Sequence, residues 1–95
     1  MNINLLIYMD TNNYYLDAVK YTAELFKLEK PDITILQVFE KKDRKEPGEQ
    51  AQKARGILEG NKFKNRIKIR HGKPAEEILT ESTEGDYDIL IIGAR

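Results

Sequence analysis

The chain has 95 residues, of which 40% are hydrophobic and 34% are charged, and its 16 acidic side chains balance 16 basic ones. A balanced charge gives no long-range field that would attract nucleic acid or an anionic membrane, so we expect neither as a partner. The absence of cysteine excludes disulfides, thiolate catalysis and cysteine-ligated metal centres, and the apolar runs are too short to cross a bilayer.

The first third of the chain predicts a strand and a helix. Residues 3–9 are apolar with little alternation, which is typical of a strand that is buried on both faces. Residues 10–13 are helix N-cap types, and they predict a helix over residues 14–28, which Pro31 ends. One apolar stripe of this helix contains Tyr14, Ala18, Tyr21, Leu25 and Leu28.

The middle of the chain predicts a strand, a loop and a helix. Residues 33–39 form a second, largely buried strand, and residues 40–50 form a polar, charge-dense loop. A weakly amphipathic helix follows, and Gly60 provides its C-terminal stop. The inward side of this helix contains Ala51, Ala54 and Leu58.

The last third adds two strands around a helix. Residues 66–70 alternate between cations and isoleucines, which predicts an edge strand with one dry and one wet face. Pro74 suits the first position of the next helix, whose Ile78 and Leu79 are expected to face the sheet and which Gly85 ends. Residues 89–92 form the fourth strand. This alternation predicts one three-layer α/β domain over residues 1–95, with parallel strands and right-handed crossovers.

Several segments of the chain carry a family resemblance. Residues 72–79 read GKPAEEIL, and residues 86–95 read DYDILIIGAR. Together with a first strand that ends in Asp10 and a second strand that contains ILQV at residues 35–38, their order and spacing resemble the universal stress protein family. The resemblance implies an open parallel sheet of the adenine nucleotide alpha hydrolase-like type, with strand order 3-2-1-4. The fifth strand of the family is missing from the 95 residues, which suggests a C-terminally truncated member.

The resemblance also implies a nucleotide site. Many members of the family bind ATP through a G-x-x-G loop that begins at the end of strand four and continues to a G-S/T pair. Gly93 matches the first glycine and Arg95 the second variable position, but the second glycine and the G-S/T pair do not follow in this sequence. The residues that the resemblance assigns to cofactor binding are Met9, Asp10, Thr11, Val38, Gly93 and Arg95.

Strand order 3-2-1-4 brings strands one and four together at the switch point, so Asp10 and Gly93 are expected to flank one crevice. Asp10 then suits a contact to a ribose hydroxyl or a base edge, although capping of the first helix explains it equally well. Triphosphate binding needs several converging backbone N–H groups, and Gly93 alone does not provide them. We therefore expect ATP or another adenine nucleotide to bind weakly or not at all.

Three functional classes remain open. The first is a non-catalytic stress-response or regulatory domain, which we favour. The second is an adenine-nucleotide-binding protein whose site is completed by a partner chain or by residues beyond Arg95. The third is a nucleotide hydrolase, for which the sequence offers no base, metal ligands or complete phosphate loop; its one histidine, His71, suits a solvated turn.

The fourth strand predicts an assembly. Residues 89–92 are all apolar, yet with a missing fifth strand they form an edge of the sheet. An apolar edge with unpaired backbone groups invites pairing with another chain. We expect a homodimer in which two copies of this strand pair about a two-fold axis. The N-terminal segment lacks the basic region of a secretory signal, so a cytoplasmic location is expected.

Overall fold

A parallel sheet occupies the centre of the computed structural model, which describes residues 3–9 and 14–92. Its strands lie in the order β3-β2-β1-β4, and all three strand pairs are parallel. The strands are β1 Asn4–Tyr8, β2 Asp32–Phe39, β3 Asn65–His71 and β4 Ile89–Ile92. The predicted α/β class, the four strands and their order are confirmed, and β3 and β4 are the two edges of the described sheet.

Three described helices connect the strands. They are α1 Tyr14–Leu25, α2 Glu49–Gly60 and α3 Pro74–Glu84. The helices α1 and α2 pack against each other, whereas α3 contacts β2 and forms ion pairs with β3. Because the β3-to-β4 connection reverses direction across the sheet, a right-handed crossover places α3 on the face opposite α1 and α2.

The register of the strands fixes which residues share a face. Leu6 lies level with Thr34 and Leu90, and Thr34 lies level with Arg66. Side chains at level positions of parallel strands point to the same side, and successive side chains alternate. Lys68 lies two residues after Arg66 and therefore on the same side of the sheet. Because Lys68 pairs with Glu81 of α3, this side is the face of the sheet that α3 covers.

The core lies where the two central strands meet α1 and α2. Residues 5–8 of β1 are buried on both faces of the sheet, as the apolar run predicted, because β1 is a central strand with helices on both faces. The buried side of α2 contains Ala51, Ala54 and Leu58, as predicted. The most buried apolar side chains are Leu5, Leu6, Ile7, Ile33, Ile35, Leu36, Val19, Ala51, Ala54 and Leu58.

The predicted apolar stripe of α1 does not form its buried face. Tyr21 is 68% exposed, Leu25 57% and Leu28 85%, and the helix ends at Leu25 rather than at residue 28. The buried positions are Val19, Thr22 and Ala23. Thr22 is accommodated there because its hydroxyl donates a hydrogen bond of 2.8 Å to the carbonyl of Ala18, a helical partner that satisfies a buried hydroxyl.

The ends of α3 follow the prediction, but one of its inward residues does not. Pro74 begins the helix and Gly85 follows its last turn. Ile78 packs against the core as expected, whereas Leu79 is 67% exposed. The inward position is taken instead by Glu81, because the cations of β3 lie beneath this side of the helix. None of the helices within the described residues is long and apolar enough to span a membrane.

Candidate functional site

The carboxyl edge of the sheet is where an open α/β fold presents its ligand crevice. Met9 follows β1 there, and its N–H donates a hydrogen bond of 2.8 Å to the carbonyl of Leu36 in β2. Val38 lies two residues further along β2, level with Arg70. The structure therefore brings these two predicted cofactor residues to the same end of adjacent central strands.

The side chains of Met9 and Val38 differ in how deeply they are buried. Met9 is 1% exposed and belongs to the hydrophobic core, so only its backbone is placed for contact with a ligand. Val38 is partly buried and packs against the same core. Their cofactor role stays a prediction. The other four predicted cofactor residues, Asp10, Thr11, Gly93 and Arg95, lie outside the described residues, as does the predicted N-cap cluster at residues 10–13.

The loop between β2 and α2 borders this edge and is held by side chains of the strand ends. The N–H of Gly48 donates a hydrogen bond of 2.8 Å to Oε1 of the buried Gln37. Arg44 stacks over the ring of Phe39 at 4.2 Å from its centroid. His71, predicted as a solvated turn residue, is instead the partly buried last residue of β3, and its Nε2 contacts the carbonyl of Arg44.

A buried carboxylate is the most unusual polar feature of the described structure. Glu81 of α3 is 2% exposed and lies over β3. Lys68 approaches its Oε1 at 2.9 Å, and Arg70 approaches the same oxygen at 2.9 Å. Tyr87, in the segment between α3 and β4, donates a hydrogen bond of 2.7 Å to Oε2. The carboxylate thus joins β3, α3 and the approach to β4.

Arg70 extends this network along α3. Its Nε donates a hydrogen bond of 2.8 Å to Oε1 of Glu77, and its Nη1 lies 4.0 Å from the exposed Glu84. Hydrogen bonds to Glu77 and Glu81 raise the pKa of Arg70, with the bond to Glu77 as the largest cause. An arginine that is held by two carboxylates in this way fixes the angle between α3 and the strand beneath it.

The ionisation of Glu81 results from opposing effects. Burial by itself raises the pKa of this carboxyl, but hydrogen bonds from Lys68, Tyr87 and Arg70 together lower it below the ordinary value. The carboxylate is therefore charged at neutral pH. Because each of its oxygens accepts from a donor of the protein, the network suits a structural connection better than proton transfer.

Sequence reasoning did not single out Glu81, although a signal was present. The alternating cations of β3 predicted a wet face, yet Lys68 and Arg70 lie partly under α3. Glu77 and Glu81 are four residues apart on the following helix and therefore share one side of it. Cations at alternate strand positions, followed by acids at helical spacing, predict such a layer of ion pairs.

No metal centre is found in residues 3–9 and 14–92, where no three histidine, cysteine or acidic side chains are grouped as ligands. Comparisons with known proteins give a result only at the level of structure. No family model matches the sequence, and no curated protein matches it.

The solved structures that are similar to the chain include the following two. A universal stress protein from Archaeoglobus fulgidus superposes with a TM-score of 0.76 at 16% sequence identity, over 100% of this chain and 78% of that one. The chain has the fold of a universal stress protein. Protein Rv1636 from Mycobacterium tuberculosis H37Rv superposes with a TM-score of 0.54 at 15% identity, over 96% of this chain and 70% of that one. The universal stress protein fold places β1 beside β4, as the switch-point prediction required.

Proposed function

We propose that this chain is a non-catalytic, universal-stress-protein-like domain of stress response or regulation, located in the cytoplasm, that acts as a homodimer through the β4 edge. In this proposal it binds adenine nucleotide weakly or not at all. Support comes from the universal stress protein fold and, above all, from the exposure of β4. A domain of this kind acts by presenting a surface to a protein partner rather than by turning over a substrate.

The exposure of β4 is the observation that carries the proposal. Ile89 is 36% exposed, Leu90 40% and Ile92 52%, although every residue of this strand is a large hydrophobic one. Within the described residues, β4 pairs with a strand on one side only, so its outer backbone N–H and C=O groups lack strand partners. Apolar side chains beside free backbone groups favour the addition of another strand.

A second copy supplies a strand of matching length and chemistry. Pairing about a two-fold axis perpendicular to the sheet sets β4 antiparallel to its partner and gives one continuous sheet across the dimer. The same operation brings Leu90 and Ile92 of both copies to the α3 side of that sheet. Apolar residues that face solvent in one copy then cover each other.

The assembly is tested by size exclusion with light scattering over a series of protein concentrations. We expect a particle of twice the 11.0 kDa chain mass. Leu90→Lys should shift the particle to the monomer, since like charges brought together across two strands repel. Leu28→Lys is the matched control, because Leu28 is 85% exposed and lies away from β4. A wild-type monomer at all concentrations, or equal behaviour of both variants, contradicts the proposal.

Weak nucleotide binding is tested separately. The 95 residues contain one glycine of the family's phosphate loop, and Met9 offers the crevice no side chain. We therefore expect ATP with magnesium to leave the melting temperature almost unchanged, since stabilisation by a ligand grows with its concentration relative to Kd. Saturating stabilisation at micromolar ATP favours the second candidate, a nucleotide-binding protein whose site is completed by a partner chain or by further residues. Phosphate release above background contradicts the non-catalytic assignment.

A further inference from the structure

A cavity lies at the amino edge of the sheet, at the opposite end from the predicted nucleotide crevice. Its volume is about 310 Å³. The first residues of β1, β2 and β3 contribute to its walls, and the segment between α3 and β4 closes one side. This volume is at the lower end of ligand pockets in proteins, which begin at about 300 Å³, so the cavity suits a molecule much smaller than a nucleotide.

Four charged side chains surround the cavity. Lys64 and Arg66 belong to the β3 side, whereas Asp32 begins β2 and Asp86 precedes β4. Among the described residues, none of these four side chains forms an ion pair, although each has an opposite charge at the same cavity. The cavity thus offers two cations and two carboxylates, and a ligand that pairs with both kinds of group carries both signs.

The register separates the two signs across the cavity. Arg66 of β3 lies level with Thr34 of β2. Asp32, at the start of β2, lies level with Asn4 of β1. Asp86 comes two residues before Asp88, whose N–H donates to the carbonyl of Asn4 at 2.7 Å. Cations therefore occupy the β3 side, whereas Asp32 lies at the start of the neighbouring β2 and Asp86 in the approach to β4, with adjacent strands about 4.8 Å apart.

Two walls of the cavity are fixed before any ligand binds. The Nε of Arg66 donates a hydrogen bond of 3.0 Å to the hydroxyl of Thr34, which leaves the terminal nitrogens of the guanidinium for another acceptor. Tyr87 is held through its hydroxyl by the buried Glu81 at 2.7 Å. A guanidinium that is already oriented binds a carboxylate with less loss of side-chain entropy.

We propose that the amino-edge cavity binds a small zwitterion of the free α-amino acid class. Its carboxylate pairs with Arg66 and Lys64, and its ammonium group pairs with Asp32 and Asp86. The cavity lies at the amino edge of the sheet, so this site is distinct from the predicted nucleotide crevice at the carboxyl edge.

The test is an NMR titration of the ¹⁵N-labelled full chain with each free protein L-α-amino acid in turn. We expect at least one of them to shift the amide signals of Thr34, Arg66 and Tyr87 in a saturable manner, without shifting that of Val38. The N-acetyl and the α-amide derivatives of the best binder each lack one charge. Each should bind at least about tenfold more weakly, because one charge-assisted contact is lost.

Two variants connect binding to the cavity. Arg66→Gln should weaken binding by about tenfold or more, while Arg55→Gln on the exposed side of α2 leaves it unchanged. Lys64→Gln, at an exposed position, repeats the test without disturbing the bond to Thr34. The proposal is overturned if no amino acid shifts these signals, if the derivatives bind as well as the parent, or if both cavity variants bind like the wild type.

Discussion

The two edge strands of the sheet, β3 and β4, differ in whether their side chains discourage or favour pairing with another chain. β3 carries Arg66, Lys68 and Arg70 on its α3 side, and two of these cations are bound by acids of α3. β4 carries only isoleucine and leucine, which stay partly exposed. Charges on an edge strand discourage the pairing of another chain, whereas apolar side chains favour it. The difference teaches that β3 carries charges that discourage pairing with another chain, whereas the apolar β4 is suited to a partner.

The largest expected effect is a difference in the free energy of unfolding between variants at the centre of the sheet and at the β4 edge. Leu6 and Leu90 lie level on neighbouring strands, but Leu6 is 0% exposed and Leu90 40%. Leu6→Ala should lower the free energy of unfolding by about 3–4 kcal/mol, because it leaves a cavity in the core. Leu90→Ala should lower it by less than about 1 kcal/mol. Urea unfolding at a protein concentration low enough to keep the chain monomeric measures both, and equal losses contradict the assignment of β4 as an exposed edge of one copy.

The second largest effect on the free energy of unfolding concerns the ion pairs that join β3 to α3. Glu81→Gln leaves Arg70 and Lys68 without their buried partner and should cost about 2–3 kcal/mol. This value is below the usual loss for a broken buried pair because Lys68 still reaches water. Glu84→Gln is the control, since its carboxylate is exposed and 4.0 Å from Arg70, and it should cost less than about 0.5 kcal/mol. Urea unfolding that ranks the two variants equally contradicts a structural role for the network.

Low pH should gradually weaken the ion pairs that Glu81 forms between α3 and β3. The pKa of Glu81 is lower in the folded protein than its ordinary value of 4.5, so the stability that it provides is complete above that value and is lost as the pH falls through the folded pKa. Urea unfolding from neutral pH to below 4.5 should show a steeper loss for the wild type than for Glu81→Gln. Parallel pH profiles of the two proteins contradict a lowered pKa.

Local patterns in the sequence were sufficient for the α/β class and for most of the helices and strands. The apolar run of β1, Pro74 at the start of α3 and Gly85 at its end each act through neighbouring residues, so a single sequence predicts them. The faces of the helices were harder to predict. Leu79 gives way to Glu81 because distant residues of β3 provide its partners, and helical spacing on α3 alone does not contain that information.

The candidate sites depend still more on long-range placement. Met9 and Val38 are close to each other at the carboxyl edge of the sheet only because β1 and β2 are adjacent, which the family resemblance implied and the residues alone did not. Two of the four charges of the amino-edge cavity belong to the strands β2 and β3, and the other two belong to the segments before β3 and β4. Each looks like an ordinary surface residue in the sequence, and only the register brings them around one volume.

Amide hydrogen exchange of the two edges over a range of protein concentrations tests the central claim most directly. We expect the amides of β4 to exchange more slowly as the concentration rises, because a second copy covers the outer backbone groups of that strand. The amides of β3 should exchange at the same rate throughout, since the charges on that edge discourage pairing with a second copy. Exchange at β4 that is independent of concentration, or protection that grows at β3 instead, contradicts the account.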